Sequence, residues 1–127
     1  MTIISKLTID DVNYYKRDIA LILQQSFKQS FPKDKQEMPY FYSRVKVLID
    51  YLNLNKATVY GALNEDKKLM GFVWFFVKDD KNTIHINHIA VNENFRSCGV
   101  GSQLWESIES FASRNEIEYI ELIVTKN

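Results

Sequence analysis

What most restricts the fold of this chain is a succession of three strand-like runs, "ATVYGAL", "LMGFVWFFV" and "TIHINHIAV" (57–63, 69–77 and 83–91), separated only by "NEDKK" and "KDDKN". Connections this short and polar form turns and leave no room for a crossover between parallel strands, so the runs predict an antiparallel meander. The alternating large residues of "GFVWFF" are read as core of its central strand rather than as an aromatic acceptor pocket.

Elements of other kinds flank the meander. "TIISKLTI" reads as a first strand, after which Asp10 is expected to cap a helix with Val12, Tyr15, Ile19, Ile22, Leu23 and Phe27 on its apolar face. A second helix is expected from about Tyr40 to Leu54, with Phe41, Val45, Leu48, Ile49 and Leu52 inward. Pro32 and Pro39 bracket "PKDKQEMP" as a loop whose charges form a solvated face. Beyond the meander, Leu104, Trp105, Ile108, Phe111 and Ala112 mark the inner face of another helix, and "EYIELIVT" returns as a strand. Strand, helix and strand in succession make a right-handed crossover, so the last two strands are expected to be parallel. The fold class is α/β (α+β): a mixed sheet in the order β-α-α-β-β-β-α-β, one domain over residues 1–127.

Composition excludes several functions. Lys+Arg and Asp+Glu number 16 each, so no whole-molecule field gathers nucleic acid or an anionic membrane, and neither is expected as a partner. Any anion site must be local. A single cysteine, Cys98, excludes an internal disulfide, and His85 and His88 alone make no structural zinc set, so no metal is expected. The start "MTIISKLTIDD" lacks the apolar run of a signal peptide, and no segment approaches the roughly 20 apolar residues of a membrane span. A cytoplasmic location is expected.

One local anion site is suggested. In "NHIAVNENFRSCGVGSQLW" (87–105), Gly99 and Gly101 stand between a strand and an amphipathic helix, where the first helical N–H groups lack partners and the helix dipole adds positive charge. Glycine lets the backbone approach a phosphate closely, and Arg96 brings a full charge beside those groups. A Walker loop is excluded because "GVGSQL" contains no lysine. A dinucleotide fingerprint would need a third glycine where Leu104 stands; Glu121 lies about 20 residues on, as a ribose-binding acid would, but a meander upstream does not belong to that fold.

"HIAVNENFRSCGVGSQLW" resembles the acyl-CoA-binding segment of the GCN5-related N-acetyltransferases, [RQ]xxGxG/A after a strand ending apolar-x-V. Arg96, Gly99 and Gly101 follow Ile89 and Val91 in that pattern, and the order of elements is similar to the family's over nearly the whole chain. The resemblance implies transfer of an acetyl group from acetyl-CoA, as co-substrate, to a primary amine of a small molecule or protein. It implies that Arg96, Ser97, Cys98, Gly99, Val100, Gly101 and Ser102 surround the CoA pyrophosphate. The pantetheine arm would follow Ile89, Ala90 and Val91, with a main-chain N–H aimed at the thioester oxygen where charge develops. The alternative is a non-catalytic acyl-CoA-binding or interaction domain without turnover. A third reading is an incomplete domain that binds nothing until it pairs through its last strand.

Catalysis is less defined. An alkyl ammonium, with a pKa of roughly 10.4, must lose a proton before it attacks. Many members of the family carry a glutamate where this chain has Asn87, whose amide is no base. By two-residue alternation His85 shares a face with Asn87, and it resembles a histidine that some members use as a base or to orient water; a half-exposed structural role is the other reading. His88 is expected on the opposite face, and Cys98 to contribute only its backbone. Tyr40 to Tyr42 either border an acceptor cleft or pack, and Trp105 is expected in the core. Members of the family usually continue with a further helix, which often carries a thiolate-protonating tyrosine, and two strands. This chain ends at "VTKN", so it is expected either to be a shortened product or to have that edge covered by another chain, as in a homodimer through the C-terminal strand edge.

Overall fold

The structure is a computed structural model that describes residues 1–31, 33 and 36–122. Its elements are β1 (Ile3–Lys6), α1 (Ile9–Tyr14), α2 (Lys16–Ser30), α3 (Met38–Asn53), β2 (Thr58–Leu63), β3 (Leu69–Val77), β4 (Thr83–Val91), a 3-10 turn (Glu93–Phe95), α4 (Val100–Arg114) and β5 (Tyr119–Leu122). Among the described residues the strands form one sheet in chain order, β1-β2-β3-β4-β5, antiparallel except for the β4–β5 pair, which is parallel. The expected meander and final crossover are both present. Of the expected last strand, residues 123–125 lie outside the described residues, as does any dimer contact they would make.

The expected first helix is two helices. Thr8, not Asp10, caps α1: its Oγ1 accepts from Asp11 N at 3.1 Å while the Asp11 carboxylate accepts from Thr8 N at 2.9 Å, which satisfies two end groups reciprocally. The break falls at Tyr15, whose backbone lies in the bridge region (φ −94°, ψ 12°). Its ring is buried, and its hydroxyl donates to Lys67 O at 2.7 Å in the β2–β3 turn. A tertiary contact therefore interrupts an apolar stripe that runs on through Ile19, Ile22 and Leu23. The second helix starts at Met38 because Pro39 in its first turn costs no hydrogen bond.

Helices cover both faces of the sheet. Ile19, Phe41, Val45, Leu48, Phe72 and Trp74 belong to the core under α1–α3, and Val73, Phe75, Ile84, Ile86, Leu104 and Ile108 to the core under α4. Strand β3 is buried on both faces from Leu69 to Phe75, so its aromatic run is core, as expected. Two bulges interrupt the pairing: Met70 is extra in β3 against β2, and Asn87 is extra in β4 against β3.

Trp105 is a correction. It is 36% exposed, whereas Val100, Leu104, Ile108 and Ala112 are buried. At 3.6 residues per turn these four centre the stripe, and Trp105 falls at its rim. Leu104→Ala is expected to cost roughly 2–5 kcal/mol through the cavity it leaves, and Trp105→Ala no more than about 1 kcal/mol. Urea unfolding of the two variants checks this; equal losses would return Trp105 to the core.

Candidate active site

The bulge in β4 shapes the site. Phe76 pairs with His85 and Trp74 with His88, and because Trp74 and Phe76 share a face of β3, both histidines lie on the α2–α3 side. Simple alternation had put His88 on the far side from His85; the extra residue Asn87 reverses it. Ile86 and Ile89, three apart, both turn into the α4 core. Asn87 Oδ1 is buried with no donor among the described residues, an arrangement that costs roughly 1–3 kcal/mol unless a bound molecule or water satisfies it.

Beyond the bulge, one edge of β4 has no partner among the described residues. Its pairing with β5 runs from Thr83–Tyr119 to Ile86–Leu122, so no described residue of β5 pairs with Asn87–Val91. Asn92 N donates to Met70 O at 2.8 Å, and antiparallel alternation then turns the main chain of Ala90 toward β3 and those of Ile89 and Val91 toward that edge. Of the three residues expected along the pantetheine arm, Ile89 and Val91 present groups with no partner among the described residues; those of Ala90 are committed to the sheet. Gly71 permits this close packing, since a Cβ there would lie 2.8 Å from Ala90 O and 3.2 Å from Leu104 Cδ1.

The glycine loop follows at the end of that edge. Asn92, 5% exposed, accepts from Asn94 N at 2.9 Å, and Glu93 N donates to Gln25 Oε1 of α2 at 3.0 Å; together these pin the turn. Arg96, Ser97 and Cys98 are exposed. Left-handed backbone at Ser97 (φ 69°) and Gly99 (φ 78°) swings the chain into α4. Gln103 N, donating to Gly99 O at 3.1 Å, closes the first turn, so the N–H groups of Val100, Gly101 and Ser102 have no intrahelical acceptor. A Cβ on Gly99 would meet nothing within 4 Å, and one on Gly101 only Val91 Cγ2 at 3.8 Å. Gly99 is required by its φ, but no packing constraint requires Gly101. Its missing side chain leaves the approach to the N–H groups open, which suits a phosphate.

On the α2–α3 side a cavity of about 350 Å³ reaches the bulge, lined by Leu23, Phe27, Tyr40, Phe41, Arg44 and His88 among others, with Asn87, Ile89 and Leu122 at its sheet end. A second, of about 580 Å³, lies beside Tyr51, Trp74, Phe76 and Lys81 and also touches Asn87. Tyr40 and Phe41 line the first cavity; Tyr42 packs against the core.

His85 lines neither cavity. Its Nδ1 lies 3.3 Å from Glu121, which also accepts from Lys78 Nζ at 2.7 Å, and its ring packs on Phe76. The Lys78 hydrogen bond, followed by that of His85, holds the Glu121 carboxyl below its ordinary range. The residue that stood at ribose-acid distance is thus a member of a salt-bridge network. His88, by contrast, faces the first cavity with its ring 5.5 Å from that of Trp74, and burial, then the charge of Arg44, pushes its pKa down to about 4. It is neutral at pH 7, able both to donate and to accept. Sequence reasoning set His88 aside because nothing in the sequence marks the bulge.

Cys98 is exposed. Among the described residues no group of three or more His, Cys, Asp or Glu is placed to hold a metal, and no helix is long and apolar enough to cross a membrane.

A mixed sheet with a bulged fourth strand and a glycine-opened helix start is the architecture that the comparisons with known proteins identify. Residues 20–127 match the model of the Acetyltransferase (GNAT) family, and the chain belongs to that family. Its members use acetyl-CoA. Among solved structures it is similar to a protein of Staphylococcus aureus subsp. aureus assigned to the GNAT acetyltransferases (TM-score 0.74, 24% identity, 93% of this chain and 97% of that one). It is similar also to the PaiA N-acetyltransferase of Thermoplasma acidophilum in complex with coenzyme A (TM-score 0.73, 19% identity, 98% and 79%). A third is an aminoglycoside acetyltransferase from an uncultured soil metagenomic sample in complex with sisomicin (TM-score 0.70, 24% identity, 97% and 77%). At these identities the likeness is one of fold. No curated protein matches the sequence.

The depressed His88 pKa ties stability to pH. The unfolded chain takes up this proton near pH 6.5 and the folded chain only near 4, so between those values the unfolded state binds more protons and stability falls as pH falls. The loss is expected to reach about 3 kcal/mol by pH 4. Urea unfolding at pH 7 and pH 4.5 is expected to show a smaller difference for His88→Gln than for the parent; an equal difference would contradict the assignment.

Proposed function

We propose that the protein is an N-acetyltransferase that moves the acetyl group of acetyl-CoA to the primary amine of a small molecule or protein. The observation that carries this reading is the alignment of three features: the open N-terminus of α4 at Gly101, the edge of β4 from Val91 back to Asn87 that no described residue of β5 covers, and the cavity that begins at Asn87. Four residue steps along that edge span about 13 Å at ~3.3 Å each, a reach for an extended arm between a pyrophosphate and a thioester.

In this reading Arg96 and the backbone from Ser97 to Ser102 hold the pyrophosphate, and Ile89 and Val91 pair with the arm through the main-chain groups they turn away from β3. An N–H at the bulge faces the thioester oxygen, where it favours the charge that develops as the amine attacks. Asn87 orients and does not take a proton. His85, committed to Glu121, keeps the strand pair together, while neutral His88 holds the amine or a water within the cavity.

No carboxylate is among the cavity's described lining residues. Deprotonation is instead helped by the cavity, since burial disfavours an ammonium. The rate is therefore expected to rise about tenfold per pH unit up to the pKa of the amine itself, with no inflection between pH 6 and 7. A pH profile of kcat/KM that levels off near 6.5 would point to a histidine base instead.

The rival reading, binding without turnover, is favoured by the amide of Asn87 where a carboxylate base would serve. Release of CoA above the hydrolysis background decides between the two. Binding itself is tested at Gly101. Because a Cβ there meets only one ordinary contact, Gly101→Phe is expected to weaken acetyl-CoA binding at least ~100-fold in calorimetry without lowering the thermal midpoint. Unchanged affinity would remove the loop from the site.

A further inference from the structure

We infer that the acceptor is a small amine that also bears a carboxylate on an apolar or aromatic body, in the manner of an α-amino acid, and that Arg44 binds the carboxylate. The inference rests on the acetyl transfer proposed above.

Arg44 is the only charged side chain among the described residues lining the 350 Å³ cavity apart from the titratable but neutral His88. It is half-buried, and its guanidinium lies 5.9 Å from the Trp74 ring centroid. Among the described residues no carboxylate comes within 4 Å of it, and it forms no hydrogen bond. Contact with an aromatic ring uses none of the five N–H donors, whose fork matches a carboxylate in bidentate fashion. A half-buried cation of this kind gains most from a ligand that brings the missing anion.

The remaining wall selects the body of the ligand. Phe27, Tyr40 and Phe41 form one aromatic group, with ring centroids 5.0–6.2 Å apart. A polyamine or another polycation would find no carboxylate on the described wall and would be repelled by Arg44. A volume of about 350 Å³ lies at the small end of ligand pockets, large enough for a single amino acid. With its carboxylate on Arg44 of α3 and its body against the aromatic group, such a ligand directs its amine toward Asn87 and the β4 edge.

The reaction then balances without another reagent. The amine nitrogen of R–NH2 attacks the thioester carbon, a C–N bond forms, the C–S bond breaks, and the proton lost by nitrogen ends on the departing sulfur, giving the N-acetyl product and CoA–SH.

The test measures CoA thiol release from acetyl-CoA with L-phenylalanine and L-leucine, against L-phenylalanine amide, phenethylamine and spermidine. The parent, Arg44→Gln and Arg44→Lys are compared, and acetyl-CoA affinity is measured by calorimetry on the same preparations. The parent is expected to favour the carboxylate-bearing amines in kcat/KM by roughly 10- to 100-fold. Arg44→Gln is expected to abolish that preference through KM, to leave the amide and phenethylamine within about threefold, and to keep acetyl-CoA affinity within about twofold; Arg44→Lys retains part of the preference. Equal or better use of the amide or spermidine by the parent would overturn the inference. So would binding of acetyl-CoA without turnover of either amino acid, or an equal loss on both classes in Arg44→Gln. Failure of the parent to bind acetyl-CoA overturns the transfer reading itself, which separates the two failures.

Discussion

A single unpaired residue in a strand determines where everything else in this site can be. With Asn87 inserted opposite the Trp74–Phe75 step, β4 bends, its downstream half loses register with what precedes it, and described pairing with β5 stops at Ile86. Main-chain groups that a regular sheet would consume are left facing outward at Ile89 and Val91. The same insertion brings His88 beside Arg44 and Trp74 and leaves an amide oxygen buried without a donor among the described residues. A bulge costs hydrogen bonds, so it persists only where the surrounding packing enforces it.

That packing comes from both faces. Under α4, Ile84, Ile86, Leu104 and Ile108 form one core; under α1–α3, Phe72 and Trp74 meet Phe41, Val45 and Leu48 in another. Because β3 is buried on both sides, it cannot shift to repair its neighbour's register. Gly71 draws the end of β4 against Leu104, and Asn92 then ties the turn that follows to Met70. The glycine loop is consequently held by the core although its own residues, from Arg96 to Gly99, are exposed.

Electrostatics divide the two histidines by surroundings rather than by position in the sequence. His85 lies beside a carboxylate that Lys78 already holds, at the rim of the sheet. Buried next to a guanidinium, His88 stays neutral. Only the second can exchange hydrogen bonds with a molecule in the cavity, and the cavity's described charge is positive, which favours a neutral amine and an anionic group elsewhere on the acceptor.

Much of this was legible from residues alone. Five-residue polar turns dictated the meander, helical spacing placed Leu104 and Ile108 inward, and Arg96, Gly99 and Gly101 marked an anion loop, because turn chemistry, periodicity and backbone freedom are local properties. Local rules misplaced Trp105, carried one helix through Tyr15, and chose Asp10 over Thr8 as a cap. Stripe width, the bond from the Tyr15 hydroxyl to Lys67 and a reciprocal cap each depend on groups that the pattern does not rank. The sequence by itself determined the order of elements and the loop. The bulge at Asn87, the shared face of the two histidines and the pairing of Arg44 with an aromatic cavity were decided only by the tertiary structure, since each arises from strand register and from helices packed across the sheet.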